Sequence, residues 1–161
     1  MTTYLGVDPD TKATGICLLY DDATGRRFYF STAKAKGKSA HGRAPEMADA
    51  LVVAAEDLHV YADQLAVEWM HLRPVEVNPN SVLAVQAVAG MALAAFASKV
   101  ANVYLPTPRE WRGCLPKPEM HKRFLKEADD LGFEGDRPET SHELDALGLC
   151  LWLRRGRVLR A

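Results

Sequence analysis

Cysteine is scarce in this sequence and is not arranged for metal binding. The 161 residues include three cysteines, Cys17, Cys114 and Cys150, and no two of them form a CxxC pair. Structural zinc sites space their Cys and His ligands closely along the chain, so this pattern argues against such a site. Three widely separated thiols also predict free cysteines in a reducing compartment rather than a disulfide framework.

An excess of positive charge is also missing. The chain has 20 basic and 21 acidic residues and a formal net charge of −1. Overall charge therefore gives no argument for nucleic-acid binding, and a DNA-binding surface would have to come from local clustering. Hydrophobic residues make up 48% and charged residues 25%, which is typical of a folded globular chain. The length fits one domain over residues 1–161.

No segment looks like a membrane anchor or a secretion signal. The start, MTTYLGVDPD, has neither a basic region nor an apolar stretch, so we expect no signal peptide. The most apolar stretch, 82–97, contains Gln86 and Gly90 and is shorter than the roughly 20 residues that a membrane helix needs. We therefore expect no association with a membrane and a cytoplasmic location.

Local composition predicts five strands. Residues 3–8, 14–20 and 26–32 are rich in β-branched, aromatic and other apolar residues and are joined by short turns, which suggests an antiparallel meander. Two shorter strands are predicted further on, at 64–70 and 101–107.

Helical periodicity appears between and after these later strands. The predicted helices cover residues 45–62, 80–98, 119–131 and 141–154. The segments 33–43 and 108–118 contain Gly, Ser or Pro and are expected to be loops. Strands followed by alternating strands and helices predict an α/β fold, with a mixed five-stranded sheet that is flanked by helices.

Four ionisable residues stand where buried elements end or begin. Asp8 ends the first strand, Glu68 ends the apolar run LAVE, and His142 and Asp145 are three residues apart on one helix face. Buried carboxylates need a compensating cation. Mg²⁺ prefers carboxylate oxygens, and two such ions about 4 Å apart suit phosphodiester displacement.

Each of these residues also has a simpler interpretation. An Asp after a strand is most often a turn residue, and Glu68 alone would be a carboxylate at the surface end of a strand. His142 and Asp145 could simply be capping or surface residues at the start of a helix. Asp10 and Glu143 lie close enough in sequence to be alternative site residues. The hypothesis of one shared site depends on the combination and the order.

Four segments carry motifs of one known family, in that family's order: LGVDPDTKATGICLL, LAVEWM, NPNSVLAVQAVAG and SHELDALGLCLW. The first resembles a hairpin in which an Asp precedes a short turn and a Thr-Gly begins the second strand. The second and third are similar to a strand that carries a Glu and to the helix after it, which starts with Asn-x-x-Ser. The last resembles a C-terminal helix with an Asp or His three residues before an Asp-Ala pair. Over nearly its whole length the chain resembles the RuvC-type Holliday junction resolvases of the RNase H-like superfamily.

The resemblance implies an RNase H-like fold and a magnesium-dependent endonuclease that resolves four-way and related branched DNA. It implies that Asp8, Glu68, His142 and Asp145 are both the catalytic and the metal-binding residues. Two Mg²⁺ ions are implied in each site, with Mn²⁺ as a substitute. Water would be the nucleophile, leaving a 5′-phosphate and a 3′-hydroxyl. The cell would be bacterial or infected by a phage.

A basic segment is the best candidate for DNA contact. Residues 107–126 contain Lys117, Arg109, Arg112, Lys122 and Arg123, together with Lys126. Phosphate neutralisation dominates DNA affinity, so we predict that these side chains contact DNA. The resemblance favours Lys117 as the one nearest to the scissile phosphate. The alternative is an ordinary solvated surface.

Two further groups are weaker candidates for DNA contact. The segment with Lys34, Lys36, Lys38 and Arg43 forms a second basic patch. After Glu68, the family carries an aromatic residue that intrudes at the junction centre. In this sequence Trp69, His71 and Arg73 stand there, and burial in the core is the alternative for Trp69.

The predicted helix 80–98 is apolar almost all round, and such a helix must be buried on two sides. A chain of this size has little to cover the second side except another subunit. We therefore predict a homodimer through this helix, as the resemblance also implies. The alternative is a helix covered by the predicted helix 119–131.

Other functions compete with junction resolution. An RNase H-like nuclease that cuts RNA–DNA hybrids or flaps would use the same residues. A junction-binding protein that has lost catalysis would be expected to lack one of the acids, and all of them are present. The segment GVDPDTKATG also resembles the phosphate-binding hairpin of actin-like kinases. Those enzymes need a second related domain and roughly twice this length.

Overall fold

Three antiparallel strands at the start of the chain form the centre of the sheet. The computed structural model describes residues 1–58, 61–70 and 79–156. Its first strands are β1 (Thr2–Asp8), β2 (Ala13–Asp21) and β3 (Arg26–Lys34). β1 pairs with β2 and β2 pairs with β3, both antiparallel. The predicted meander is therefore confirmed.

Two parallel strands extend the sheet beyond β1. β4 (Ala62–Val67) pairs with β1, and β5 (Val100–Tyr104) pairs with β4. A further short strand, β6 (Phe133–Gly135), lies parallel to the start of β3, so the order is β5-β4-β1-β2-β3-β6. The predicted mixed sheet is confirmed, but the predicted count of five strands was too low by one. β6 has three residues in a Gly- and Pro-rich segment, and its pairing with β3 rather than its composition makes it a strand.

The helices cover both faces of the sheet. They are α1 (Ala40–Asp57), α2 (Pro79–Phe96), α3 (Pro108–Arg112), α4 (Lys117–Asp130) and α5 (Ser141–Arg154), and a 3₁₀ turn, Ala97–Lys99, follows α2. One apolar core lies between the sheet and α1 with α2. A second lies between the other face of the sheet and α3, α4 and α5.

Two segments that were predicted to be loops contain regular structure. β3 continues to Lys34, and α1 begins at Ala40 because Ser39 Oγ accepts a hydrogen bond from the Gly42 N–H at 3.1 Å. Pro108 stands at the start of α3, where its missing N–H costs nothing. Glu110 there accepts a bond from the Thr107 N–H at 2.6 Å. The prolines of this segment therefore start a helix instead of preventing one.

α5 lies directly against the backbone of two central strands. A Cβ atom added at Gly15 of β2 would lie 2.1 Å from the carbonyl oxygen of His142, and one at Gly6 of β1 would lie 2.2 Å from that of Ala146. No side chain fits at either strand position. These glycines let the start of α5 reach the sheet edge where β1 ends.

α2 is buried on one face and exposed on the other. Val88, Ala92 and Phe96 pack in the first core, whereas Leu83 is 52% exposed. By length and composition alone, the stretch Asn80–Lys99 would suffice to cross a membrane, with a mean hydropathy of 1.8. The expectation that this segment is too short for a bilayer was therefore wrong. Its inner face is nevertheless packed on the sheet and on α1.

Candidate active site

The four residues that the sequence singled out meet at one edge of the sheet. Asp8 ends β1, and Glu68 directly follows β4, the neighbouring parallel strand; the Glu68 N–H donates to the Val7 carbonyl at 3.1 Å. His142 lies in the first turn of α5, and Asp145 follows three residues later in the same helix. The carboxylates of Asp8, Glu68 and Asp145 belong to residues that are only 7%, 8% and 3% exposed. Parallel neighbours and the close approach of α5 bring these acids together.

Asp8 is paired with His142. The Nδ1 atom of His142 lies 2.7 Å from Asp8 Oδ2. This hydrogen bond raises the pKa of the His142 imidazole and favours its protonated form. Burial raises the pKa of the Asp8 carboxyl, and the charge of Asp145 adds to that rise, while His142 opposes it. When it is protonated, His142 thus compensates the charge of Asp8.

Glu68 is held by an indole. The Nε1–H of Trp111, on α3, donates to Glu68 Oε2 at 2.8 Å. Burial and the charge of Asp8 raise the pKa of Glu68 to about 7, against the opposing effects of Arg112 and Trp111. Asp145 also raises it. The acids therefore repel one another, and this repulsion favours binding of a cation.

Asp145 has two partners from α4. Lys117 Nζ lies 2.6 Å from its Oδ2, and His121 Nε2 lies 2.7 Å from its Oδ1. The Lys117 side chain is 44% exposed, whereas that of His121 is 14% exposed. Lys117, predicted to contact DNA, thus reaches into the site itself.

The donor set suits a hard divalent cation, although the side chains are not arranged around one. Among the residues that the structure describes, no group of three His, Cys, Asp or Glu side chains is placed to hold a metal ion. The acids instead face Lys117, His142 and Trp111. Three buried carboxylates nevertheless fit an oxygen-preferring cation such as Mg²⁺, and the charge of Asp145 raises the pKa of both Asp8 and Glu68.

The two alternative acids have local structural roles. Asp10 Oδ1 accepts the Lys12 N–H at 2.8 Å inside the turn between β1 and β2. Glu143 accepts the Thr32 hydroxyl at 2.6 Å and the Glu139 N–H at 2.7 Å. Glu143 therefore ties the start of α5 to β3 and so helps to place His142.

The predicted DNA-binding residues are divided by the structure. Arg109, Lys122 and Arg123 are exposed on α3 and α4. Arg112 lies over the Trp111 ring, 5.9 Å from its centroid. Arg43, from the second basic patch, donates to the carbonyls of Thr11 and Gly37 at 2.8 and 2.9 Å and so supports the β1–β2 turn.

Of the three candidates for the junction centre, only Trp69 lies within the part of the chain that the structure describes. Trp69 is half-buried and packs against the first core, which fits the alternative that the sequence left open. His71 and Arg73 lie outside the described residues.

Sequence reasoning missed Trp111 and His121. Trp111 stood in a predicted loop, so nothing indicated which way its ring would point. His121 stands four residues after Lys117, which places both on one helix face. The predicted helix began at 119, after Lys117, and this signal was therefore lost.

Known structures share this architecture, although sequence comparison alone detects nothing: no protein-family model and no curated protein matches the chain. RuvC of Thermus thermophilus in complex with a Holliday junction substrate is similar over 98% of this chain and 98% of that one, with 20% identity and a TM-score of 0.70. The yeast mitochondrial Holliday junction resolvase covers 97% of this chain and 83% of its own, with 13% identity and a TM-score of 0.59. The fowlpox virus resolvase with its substrate junction DNA covers 95% and 99%, with 11% identity and a TM-score of 0.59. This chain therefore has the fold of RuvC and of other Holliday junction resolvases.

Proposed function

We propose that this protein is a divalent-metal-dependent endonuclease that resolves four-way and related branched DNA. The observation that carries the proposal is the convergence of three buried acids, Asp8, Glu68 and Asp145, with His142 at one sheet edge. These acids come from three distant parts of the chain. The structural neighbours named above are resolvases, two of them recorded with junction DNA.

Asp8, Glu68 and Asp145 would supply the oxygen ligands for two Mg²⁺ ions, or for Mn²⁺ in their place, and His142 would complete the set. Ions held by these residues would supply activation of water and stabilisation of the charge on the attacking and leaving oxygens. The burial of the acids keeps bulk water from weakening their attraction for a cation.

His142 has two uses that depend on its protonation. As an imidazolium it compensates Asp8, as the 2.7 Å contact indicates. As a neutral imidazole it would offer a ring nitrogen to a metal or to the attacking water. Cation binding near Asp8 would favour the neutral form, because like charges repel.

Lys117 would also change partner. Its Nζ pairs with Asp145, but nearly half of its side chain is exposed. A long, flexible ammonium can move from a carboxylate to a phosphate at little cost. We propose that it leaves Asp145 for the DNA backbone next to the cleaved bond.

The exposed bases of α3 and α4 would hold the DNA. We call Arg109, Lys122, Arg123 and Lys126 the basic surface. With a net charge of −1 for the whole chain, the basic surface is a local concentration of positive charge.

The exposed face of α2 would join two copies. Leu83, Ala87 and Met91 line a groove of about 540 Å³ between α2 and α1. An apolar surface of this kind suits a protein partner. A two-fold dimer would present two active sites to a four-way junction.

Buried free thiols at Cys17 and Cys150 fit a cytoplasmic location.

A substrate panel tests the activity. The protein is incubated with Mg²⁺ and a synthetic four-way junction, a flap or an RNA–DNA hybrid of matched sequence. Preference for the junction is expected, with 5′-phosphate ends and no cleavage in the presence of a chelator. Preference for the hybrid or the flap would replace this function with that of another RNase H-like nuclease. Tight junction binding without cutting in any metal would indicate a non-catalytic binding protein.

A further inference from the structure

We infer that Trp111 and His121 are positioning residues, each of which fixes one carboxylate of the site in the orientation needed for metal binding. Trp111 acts on Glu68 and His121 acts on Asp145. The inference rests on the proposed metal site. In this role α3 and α4 orient metal-binding carboxylates in addition to contacting DNA.

The Trp111 ring cannot easily turn. It is 4% exposed and stacks on Phe124 with ring centroids 5.9 Å apart. A Cβ atom added at Gly148 of α5 would lie 2.6 Å from the ring, so the indole fills the space above that glycine. Its N–H therefore has one direction, toward Glu68 Oε2 at 2.8 Å. That bond holds one oxygen and leaves Oε1 as the atom that can bind a cation.

His121 holds Asp145 in a comparable way. It lies on α4 next to Met120, a fully buried residue, and its ring is itself mostly covered. Its Nε2 lies on Asp145 Oδ1 at 2.7 Å. Lys117 occupies the other oxygen and is the more exposed of the two partners. His121 is therefore the partner that stays, and Oδ2 is the atom that Lys117 can release.

Such supporting bonds matter because a free carboxylate rotates among several orientations. Loss of a partner that orients a metal ligand typically weakens metal affinity by about 10- to 100-fold. Neither residue belongs to the exposed basic surface. Affinity for DNA in the absence of a metal should therefore not change.

The test measures Mn²⁺ binding to the whole chain by calorimetry, without DNA. Trp111→Phe keeps the ring but loses the donor, and His121→Leu removes the donor. Each is expected to weaken Mn²⁺ binding by about 10- to 100-fold, with junction affinity in a chelator unchanged. His121→Gln keeps a donor and should recover most of the lost affinity.

Trp152→Phe is the matched control. Trp152 is a buried tryptophan of the same core and stacks edge-on with Tyr104 rather than on an acid of the site. It should bind Mn²⁺ like the unaltered chain. Thermal melts of every variant check that the fold is retained.

These measurements distinguish failure of the positioning role from failure of the metal site itself. Glu68→Gln and Asp145→Asn should abolish Mn²⁺ binding. If they do, while folded Trp111→Phe and His121→Leu bind within twofold of the unaltered chain, the positioning role is wrong and the metal site stands. Equal weakening by Trp152→Phe, or no recovery in folded His121→Gln, would also overturn it. If Glu68→Gln and Asp145→Asn bind normally, both proposals fail.

Discussion

The Nδ1 atom of His142 lies 2.7 Å from Asp8 Oδ2, although 134 residues separate the two along the chain. The contact joins the end of the first strand to the first turn of the last helix. It exists because Gly15, the residue paired with Asp8 across β1 and β2, has no side chain to keep α5 away.

Asp8→Asn should nearly abolish cleavage. The change removes the charge that would hold a cation but keeps the shape of the side chain. Cleavage of a four-way junction is expected to fall by more than 100-fold. This is a larger loss than the removal of a residue that only orients a metal ligand would cause. Asp10→Asn is the matched control, because Asp10 serves the turn two residues later and should leave the rate within a few-fold. Equal cutting by Asp8→Asn would remove Asp8 from the mechanism.

The raised pKa of Glu68 predicts a pH-dependent stability in a chelator. The folded carboxyl has a pKa of about 7 against an ordinary value of 4.5, so the folded chain binds this proton more tightly than the unfolded chain. The resulting stabilisation is complete below pH 4.5 and is lost as the pH rises through about 7. The difference corresponds to about 3 kcal/mol.

Urea unfolding at pH 5 and pH 8 measures this effect. Glu68→Gln cannot titrate, so its unfolding free energy should fall less between these pH values than that of the unaltered chain. The raised pKa of Asp8 and of His142 acts in the same direction and remains in the variant. If the unfolding free energies of the variant and of the unaltered chain changed equally between pH 5 and pH 8, burial would not raise the pKa of Glu68.

Gly15→Ala should damage both the fold and the site. A methyl group there would lie 2.1 Å from the His142 carbonyl oxygen, so α5 would have to move away from the sheet. We expect a loss of about 2 to 4 kcal/mol in unfolding free energy, and much weaker cleavage. Gly90→Ala is the control, since nothing lies within 4 Å of its Cβ and alanine favours a helix by up to about 1 kcal/mol. Similar stability of the two variants would contradict the close packing of α5.

The basic surface predicts the salt dependence of junction binding. Each lost phosphate contact should reduce the slope of log K against log[salt] by about 0.9. Lys122→Ala combined with Arg123→Ala should therefore give a visibly shallower slope in a chelator. Arg27→Ala, at the opposite end of the sheet from Asp8, should leave it unchanged. Equal slopes in all three proteins would place the DNA on another surface.

The exposed face of α2 predicts a dimer. Sedimentation at micromolar concentration should give about twice the chain mass of 17.8 kDa. Leu83→Glu places a charge in the apolar groove and should yield monomers, since an unpaired buried charge is costly. Val103→Glu, at an exposed apolar position on β5, should stay dimeric. A monomeric unaltered chain would remove the dimer from the proposal.

Much of the fold could be predicted because it depends on local patterns. The meander is coded by three apolar runs with short turns between them, and α5 by a capping residue, Thr140, before an apolar helix. The candidate acids could be predicted because each stands at the end of an apolar element. β6 was missed because it is made by pairing with β3, and α3 was missed because the prolines of residues 108–118 were interpreted as loop residues, although Pro108 begins a helix.

By itself the sequence determined the order of the elements and which residues carry charge where buried segments end, since both depend on neighbours along the chain. Only the tertiary structure decided how those charges are compensated. Lys117 and His121 reach Asp145 from a different helix, and Trp111 reaches Glu68 from a third. Such contacts depend on how helices lie on the sheet, and this is set by packing over the whole chain rather than by any local pattern.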